Sequence, residues 1–332
     1  VNSRANRTGR HVVSLALLLA ATGLILLASL LLGSAGWIWP DSPGWATDRR
    51  IMLELRLPRV LAAFAAGGLL GLAGALIQVL TRNPLADPYI LGISGGAATG
   101  ALLAILLGLP VLLQHASASL GALGALLLVI ALAHGEGAWT RHRLLLTGVV
   151  LAAALGALIT LMLALAPETA LRGMLFWLMG DLSGAPAPWF ALGGLALLIL
   201  LTLPWARDLN ILTRGEASAL SLGVAVRELR WGSYLIAALA TALAVITAGS
   251  IGFVGLLAPH IARLLVGADH RLALPGAVLL GGSLVMLADL LARTLIAPQQ
   301  LPAGALLALI GAPLFLTLLY RQSDQSGAGR GA

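Results

Sequence analysis

An all-α integral membrane protein is the fold class this sequence predicts: a ten-span polytopic helix bundle with both termini cytoplasmic. Three observations carry the prediction. Hydrophobic residues make up 59% of the 332 and charged residues only 10%, whereas a soluble domain is about a quarter charged. Uncharged runs long enough to cross a bilayer alternate with short charged clusters along the chain. When those runs are threaded through a membrane in turn, Arg collects on one side. The composition excludes a soluble globular enzyme. It also excludes disorder, which needs high charge and little apolar content.

A helix needs about 20 apolar residues to cross about 30 Å of hydrocarbon. Residues 12–36 follow Arg4, Arg7 and Arg10. The run is too long for the apolar core of a signal peptide and reads as a retained first span. Residues 60–80 form the second. The stretch 83–140 holds only Asp87 and Glu136 as charged groups, and Pro110 divides it into spans 89–108 and 116–134. Spans 144–166 and 187–206 follow. Residues 231–262 carry no Asp, Glu, Arg or Lys. Gly249-Ser250-Ile251-Gly252 divides that run into spans 231–248 and 251–266 around a tight Gly-rich turn. Spans 274–295 and 302–320 complete a single transmembrane domain over 1–332, with 208–230 as its largest cytoplasmic loop.

Threaded this way, the side holding the termini collects 14 Arg and the other side six. The Arg-rich side is therefore cytoplasmic. All 20 basic residues are Arg, scattered singly or in small groups, so the formal charge of +7 is no nucleic-acid stripe. Four of the six outward Arg crowd into one loop, as Arg49, Arg50, Arg56 and Arg59. Cysteine is absent, which removes disulfide, thiol-nucleophile and thiolate-metal chemistry. Small residues recur at helix-contact spacing, as Gly67/Gly71, Gly92/Gly96/Gly100 and Gly148/Ala152/Gly156, and read as close packing within one bundle.

Catalytic sets are missing. There is no Lys and no phosphate-loop motif, and the six His form no metal-ligand pair. His11, His134, His142, His260 and His270 fall at cytoplasmic helix ends, and His115 faces outward. Charge inside the spans is nearly absent, where an ion-coupled transporter places it. The nearest group is Asp289 with Arg293, four apart, which reads as an ion pair near the outer end of the ninth span. A neutral pathway without a coupling ion takes its energy elsewhere, which points to a permease driven by a separate ATPase. In the loop 208–230, Glu216 to Leu222 reads as a short helix that Gly223 ends at its C′ position.

Several stretches resemble one family, the FecCD-type permeases of vitamin B12, haem and ferric-siderophore importers, the type II class of ABC importer. They are Arg56-Leu57-Pro58-Arg59, Gly74-Ala75-Leu76-Ile77-Gln78, Arg82-Asn83-Pro84-Leu85-Ala86-Asp87-Pro88 and Leu91-Gly92-Ile93-Ser94-Gly95-Gly96. Phe176-Trp177-Leu178-Met179-Gly180 and Gly215-Glu216-Ala217 follow. The most specific is Gly249-Ser250-Ile251-Gly252-Phe253-Val254-Gly255-Leu256 with Pro259-His260-Ile261-Ala262-Arg263. Asp269-His270-Arg271, Leu301-Pro302-Ala303-Gly304 and Gly311-Ala312-Pro313-Leu314-Phe315 close the set. Together they run in the family's order over about residues 50–320.

The resemblance implies a homodimer in the bacterial inner membrane. It implies two copies of an ABC ATPase subunit below and a periplasmic substrate-binding protein above. The chain itself would bind no cofactor, with ATP and Mg held by the ATPase. Arg56, Arg59 and Arg293 would present exposed guanidinium forks to carboxylates of the binding protein. The coupling helix would span Gly215 to Gly223, with Glu216, Ala217 and Leu220 docking on the ATPase. Thr147, Thr160 and Met162 would lie on the pathway-lining fifth span. Leu171, Met174, Leu175 and Leu178 would form the outer gate, on a short helix at about 171–178. The implied substrate is a bulky chelate, with an iron chelate (haem or ferric siderophore) favoured over cobalamin.

Overall fold

The computed structural model describes residues 2–34, 36–37, 45–133, 141–182 and 188–328. His134 and Glu136 lie outside the described residues. The chain begins with α1 (Asn2–Leu31). A two-residue antiparallel ladder then pairs Leu32 with Trp37 and Gly33 with Gly36. Helix α2 (Trp45–Arg50) passes through a π-helical turn (Ile51–Arg56) into α3 (Leu57–Thr81). Pro58 comes just after the π-helical turn, where Leu57 N–H still bonds Met52 O. Then come α4 (Ile93–Leu106), α5 (Val111–Ala133), α6 (Arg141–Leu165), α7 (Glu168–Met179) and α8 (Pro188–Thr202). The short α9 (Ala206–Leu212) and α10 (Glu216–Ser221) lead to α11 (Val226–Ala248), α12 (Val254–Val266), α13 (His270–Thr294) and α14 (Ala303–Ala328).

Among the described residues, seven helices are long and apolar enough to cross a membrane: α1, α3, α5, α6, α8 with α9, α11 and α13. Three further apolar helices are shorter, namely α4, α12 and the stretch Ala303–Thr317 of α14. The 13 residues of α12 measure about 20 Å, less than the hydrocarbon thickness. Residues 249–253 lead into it without helical structure.

Helix α3 is the centre of the bundle, packed by α13, α11, α12 and α8. In its apolar stretch 89% of the residues are buried, against 11% in that of α6. Close approach requires glycine here. A Cβ on Gly67 would meet the carbonyl of Gly281, and one on Gly71 that of Ala277, both on α13. Likewise Gly96 and Gly100 of α4 abut the backbones of Gly121 and Ser117 on α5. These two small-residue ladders are internal contacts. At Gly156 of α6, by contrast, an added Cβ has nothing within 4 Å.

The unwound lead into α12 is held from the start of α4. Before α4 the chain makes a 3-10 turn (Pro88–Leu91) that the Asp87 carboxylate caps by accepting from Tyr89 N at 2.8 Å. Gly92, at φ +73°, then redirects the chain into α4. The Tyr89 hydroxyl donates to Ile251 O at 2.9 Å, and Ile251 N donates back to it at 3.0 Å. Ser94 and Ser250 hydroxyls pair at 3.2 Å. Side chains thus replace the hydrogen bonds that the non-helical segment cannot make to itself.

Candidate functional site

The three Arg expected to form exposed forks converge at one end of the bundle, but two of them are buried. Arg56 is 6% exposed, and its Nη1 donates to Leu30 O at 2.9 Å and to Leu31 O at 2.8 Å. These carbonyls end α1, so the guanidinium caps a helix C-terminus and meets its negative dipole end. Gly33 makes room for it, since a Cβ there would lie 2.7 Å from the Arg56 guanidinium. Arg293 is 4% exposed. Its Nε lies 3.0 Å from Asp289 Oδ2 and its Nη2 donates to Ser29 O at 3.3 Å. The expectation of exposed forks is therefore corrected for Arg56 and Arg293, because orphan carbonyls and a buried carboxylate already occupy them.

Arg59 is the intermediate case. Its Nε donates to Asp289 Oδ1 at 2.9 Å, its Nη2 lies 2.8 Å from the same oxygen, and its Nη1 donates to Gln300 Oε1 at 3.0 Å. The side chain keeps 15% of its surface exposed, while Asp289 keeps 1%. The Asp289–Arg293 pair read from sequence is present. It is buried rather than interfacial, and Arg59 joins it from 230 residues away. One carboxylate thus ties α3 to α13, and Arg293 extends the tie to α1. On the adjoining turn Arg49 and Arg50 are exposed, and Arg50 pairs with Glu54 at 3.1 Å.

The expected gate helix is α7, longer than the expected 171–178. Met174 is fully buried, while Leu171, Leu175 and Leu178 are half-buried. Arg172 stacks over the Phe176 ring at 5.7 Å. Gly173 and Trp177 of α7 line a cavity of about 220 Å³ with Gln114, His115, Asp181 and Thr247. Both His115 ring nitrogens are buried there without a hydrogen-bond partner. On α6, Thr147 and Met162 are half-buried and Thr160 is exposed, its hydroxyl bonded back to Gly156 O at 2.9 Å. None of these three lines the larger cavity beside α6, of about 430 Å³, whose walls include Asp87, Tyr89, Val149, Ala152, Phe253 and Leu256. Among the described residues, Asp87 and Tyr89 are the ionisable groups in those walls.

Helix α10 spans Glu216–Ser221, a six-residue helix ended by a Schellman motif. Gly223, at φ +75°, donates to Leu220 O at 3.0 Å and Val224 N donates to Ala219 O at 3.0 Å. Its start is clamped to α11: Arg230 donates through Nη1 and Nη2 to the two Glu216 oxygens at 2.8 and 2.7 Å. Ala219 is turned inward at 0% exposure, while Leu220 and Leu222 stand 60% and 65% exposed beside exposed Ala217. Two exposed leucines on a rigidly held turn make an apolar contact surface.

Sequence reasoning missed three contributors: Asp289 as partner of Arg59, Tyr89 as the brace of residues 249–253, and Arg230 as the clamp of Glu216. Glu216 and Arg230 are 14 apart on two different helices, beyond the i,i+4 reach of one helix, and the other two partners are over 150 residues from their contacts. No periodic signal announces such pairs.

Comparison with known proteins follows this geometry closely. The FecCD transport family matches residues 14–321. The ABC transporter permease protein YvrB of Bacillus subtilis is 41% identical over 305 residues, covering 87% of this chain and 83% of its own. The hemin transport system permease protein HmuU of Yersinia pestis is 41% identical over 320 residues, 91% of this chain and 95% of its own. The vitamin B12 import system permease protein BtuC of Shigella sonnei is 38% identical over 311 residues, 92% and 94%. Among solved structures, an inward-facing metal-chelate type ABC transporter superposes with TM-score 0.84 at 33% identity, covering 92% of this chain and 98% of its own. The apolar helices, the exposed apolar turn at α10 and this similarity along nearly the whole length lead to one conclusion. The chain belongs to the FecCD transport family of ABC transporter permeases and is a multi-pass membrane protein.

Proposed function

We propose that this chain is the permease subunit of an ATP-driven importer. It carries a bulky iron chelate, haem or ferric siderophore, from a periplasmic binding protein to the cytoplasm by alternating access. It works as a homodimer in the bacterial inner membrane, crossing ten times with both termini cytoplasmic, above two copies of an ABC ATPase subunit. ATP and Mg belong to those subunits. The observation that carries this reading is α10, a short helix clamped by Glu216–Arg230 with Leu220 and Leu222 exposed. Such a helix suits a groove on a partner, and closure of the ATPase pair moves it as a lever.

Docking of the binding protein falls first to Arg59, the member of the outer Arg group with surface still exposed, and to exposed Arg49 and Arg50. Arg56 and Arg293 lie behind it. The pathway runs along α6 past Thr147, Thr160 and Met162, with Leu171, Met174, Leu175 and Leu178 of α7 as the outer gate. The mostly apolar cavity between α6 and residues 252–256 suits a bulky ligand that is passed on rather than held. An ion-coupled mechanism finds little support, because Asp289 is already engaged by two guanidiniums.

The similarity to a hemin permease supports the iron-chelate reading, and the similarity to a vitamin B12 permease supports cobalamin as the second reading. Uptake by proteoliposomes holding permease, ATPase and binding protein tests both. ATP-dependent accumulation of haem or a ferric siderophore is expected. Accumulation of cobalamin alone selects the second reading, and uptake that follows an ion gradient without ATP overturns both.

A further inference from the structure

The ends of α3 and α12 and the start of α13 leave a cavity of about 300 Å³ beside the turn that leads into α10. Arg82, Arg263, His270, Gln78 and Thr213 line it, and among the described residues no acid does. Arg263 is fixed by a neutral partner, and Arg82 is only loosely held. Gln78 donates its amide to Leu256 O at 3.2 Å, which turns its Oε1 toward Arg263 Nη2 at 2.6 Å. Arg82 leaves α3 in the left-handed conformation, at φ 49°, and its Nη2 reaches Leu212 O at 3.5 Å. The neighbouring Asp269 carboxylate is engaged by Asn210 Nδ2 at 2.8 Å and Arg271 N at 3.0 Å. Two positive charges in one recess, with no acid among the described residues of its walls, favour an oxyanion bridging them.

The recess sits on a mechanical joint. Thr213 belongs to the turn between α9 and α10, and Leu212 ends α9. Asn210 of α9 accepts from His270 N at 3.0 Å, which ties the same segment to α13. An anion held by Arg82 and Arg263 therefore joins α3, α12 and the α9–α10 segment. We infer that this recess receives an Asp or Glu side chain of the ATPase subunit, as a second anchoring point beside α10. The inference rests on the coupling role proposed for α10. It adds that ATPase movement reaches the core helices α3 and α12 directly as well as through the loop.

The test measures ATPase affinity for the full-length permease across a range of NaCl concentrations, with four variants. Arg82→Glu is expected to weaken binding about tenfold or more and to flatten its salt dependence. Arg263→Gln is expected to weaken it less, and Arg271→Glu, at an exposed cation that does not line the recess, leaves it unchanged. Leu220→Asp probes α10 itself. If Leu220→Asp weakens binding while Arg82→Glu and Arg263→Gln bind like wild type, the recess inference fails and the coupling role stands. If Leu220→Asp has no effect, the coupling role fails. Arg82 is exposed and held only by the 3.5 Å contact, so its variant remains informative even if Arg263→Gln does not fold. A rise in permease melting temperature with inorganic phosphate or phosphatidylglycerol, with ATPase affinity untouched by Arg82→Glu, overturns the inference in favour of a phosphate ligand.

Discussion

The Asp289 carboxylate, 1% exposed, is held between the Arg59 and Arg293 guanidiniums. Removing one member of such a pair leaves buried charge uncompensated, at about 3–5 kcal/mol. Asp289→Ala is therefore expected to lower the melting temperature in detergent sharply, with Asp289→Asn between it and wild type. An unchanged melt in Asp289→Ala would show that water reaches the cluster. Asp87 behaves differently. Burial pushes its carboxyl above the ordinary value of 3.8, and the hydrogen bond from Tyr89 N only partly offsets this. A carboxyl raised by folding contributes stability that is full below its unfolded value and lost as pH rises through its folded value. Asp87→Asn keeps the Oδ1 acceptor and removes the charge. It is expected to melt higher than wild type at pH 8, with the difference closing toward pH 4.

Among the elements, α3 and α6 show how one residue type serves two ends. Gly71 lies against the Ala277 backbone, so Gly71→Val forces α3 and α13 apart at a cost of about 1–3 kcal/mol or more. Gly156 has open space where a side chain would go. Gly156→Leu is expected to leave the melt of the monomer unchanged while lowering the dimer fraction in size-exclusion chromatography. Equal dimer fractions would remove α6 from the interface. The ladders look alike in sequence because spacing records which residues share a helix face. It does not record what stands opposite, and that is why Gly67/Gly71 and Gly148/Ala152/Gly156 could not be told apart before the fold was known.

For the whole molecule, the sparse burial of α6 beside the dense burial of α3 poses the question of what covers the periphery. A chain without cysteine answers it cleanly, since a single introduced thiol has no internal partner. Leu161→Cys, at a position 56% exposed on α6, is expected to give an oxidised species at twice the 33.9 kDa chain mass. The same thiol placed at Leu112 of α5, 78% exposed, is expected to remain monomeric. Cross-linking at Leu112 alone would move the interface to α5.

The amino-acid sequence by itself determined that the chain is a membrane helix bundle and where the Gly-rich break before α12 falls. These follow from hydropathy, charge and local backbone freedom, which act over a few residues at a time. It also marked the α10 turn, because Gly223 at a helix end is a local signal. Only the tertiary structure decided that Arg56 caps α1, that Asp289 gathers Arg59 with Arg293, and that Tyr89 braces Ile251. Each of those contacts pairs groups on different helices. In a bilayer a buried polar group takes whichever partner packing brings within reach, and that choice is made by the bundle as a whole.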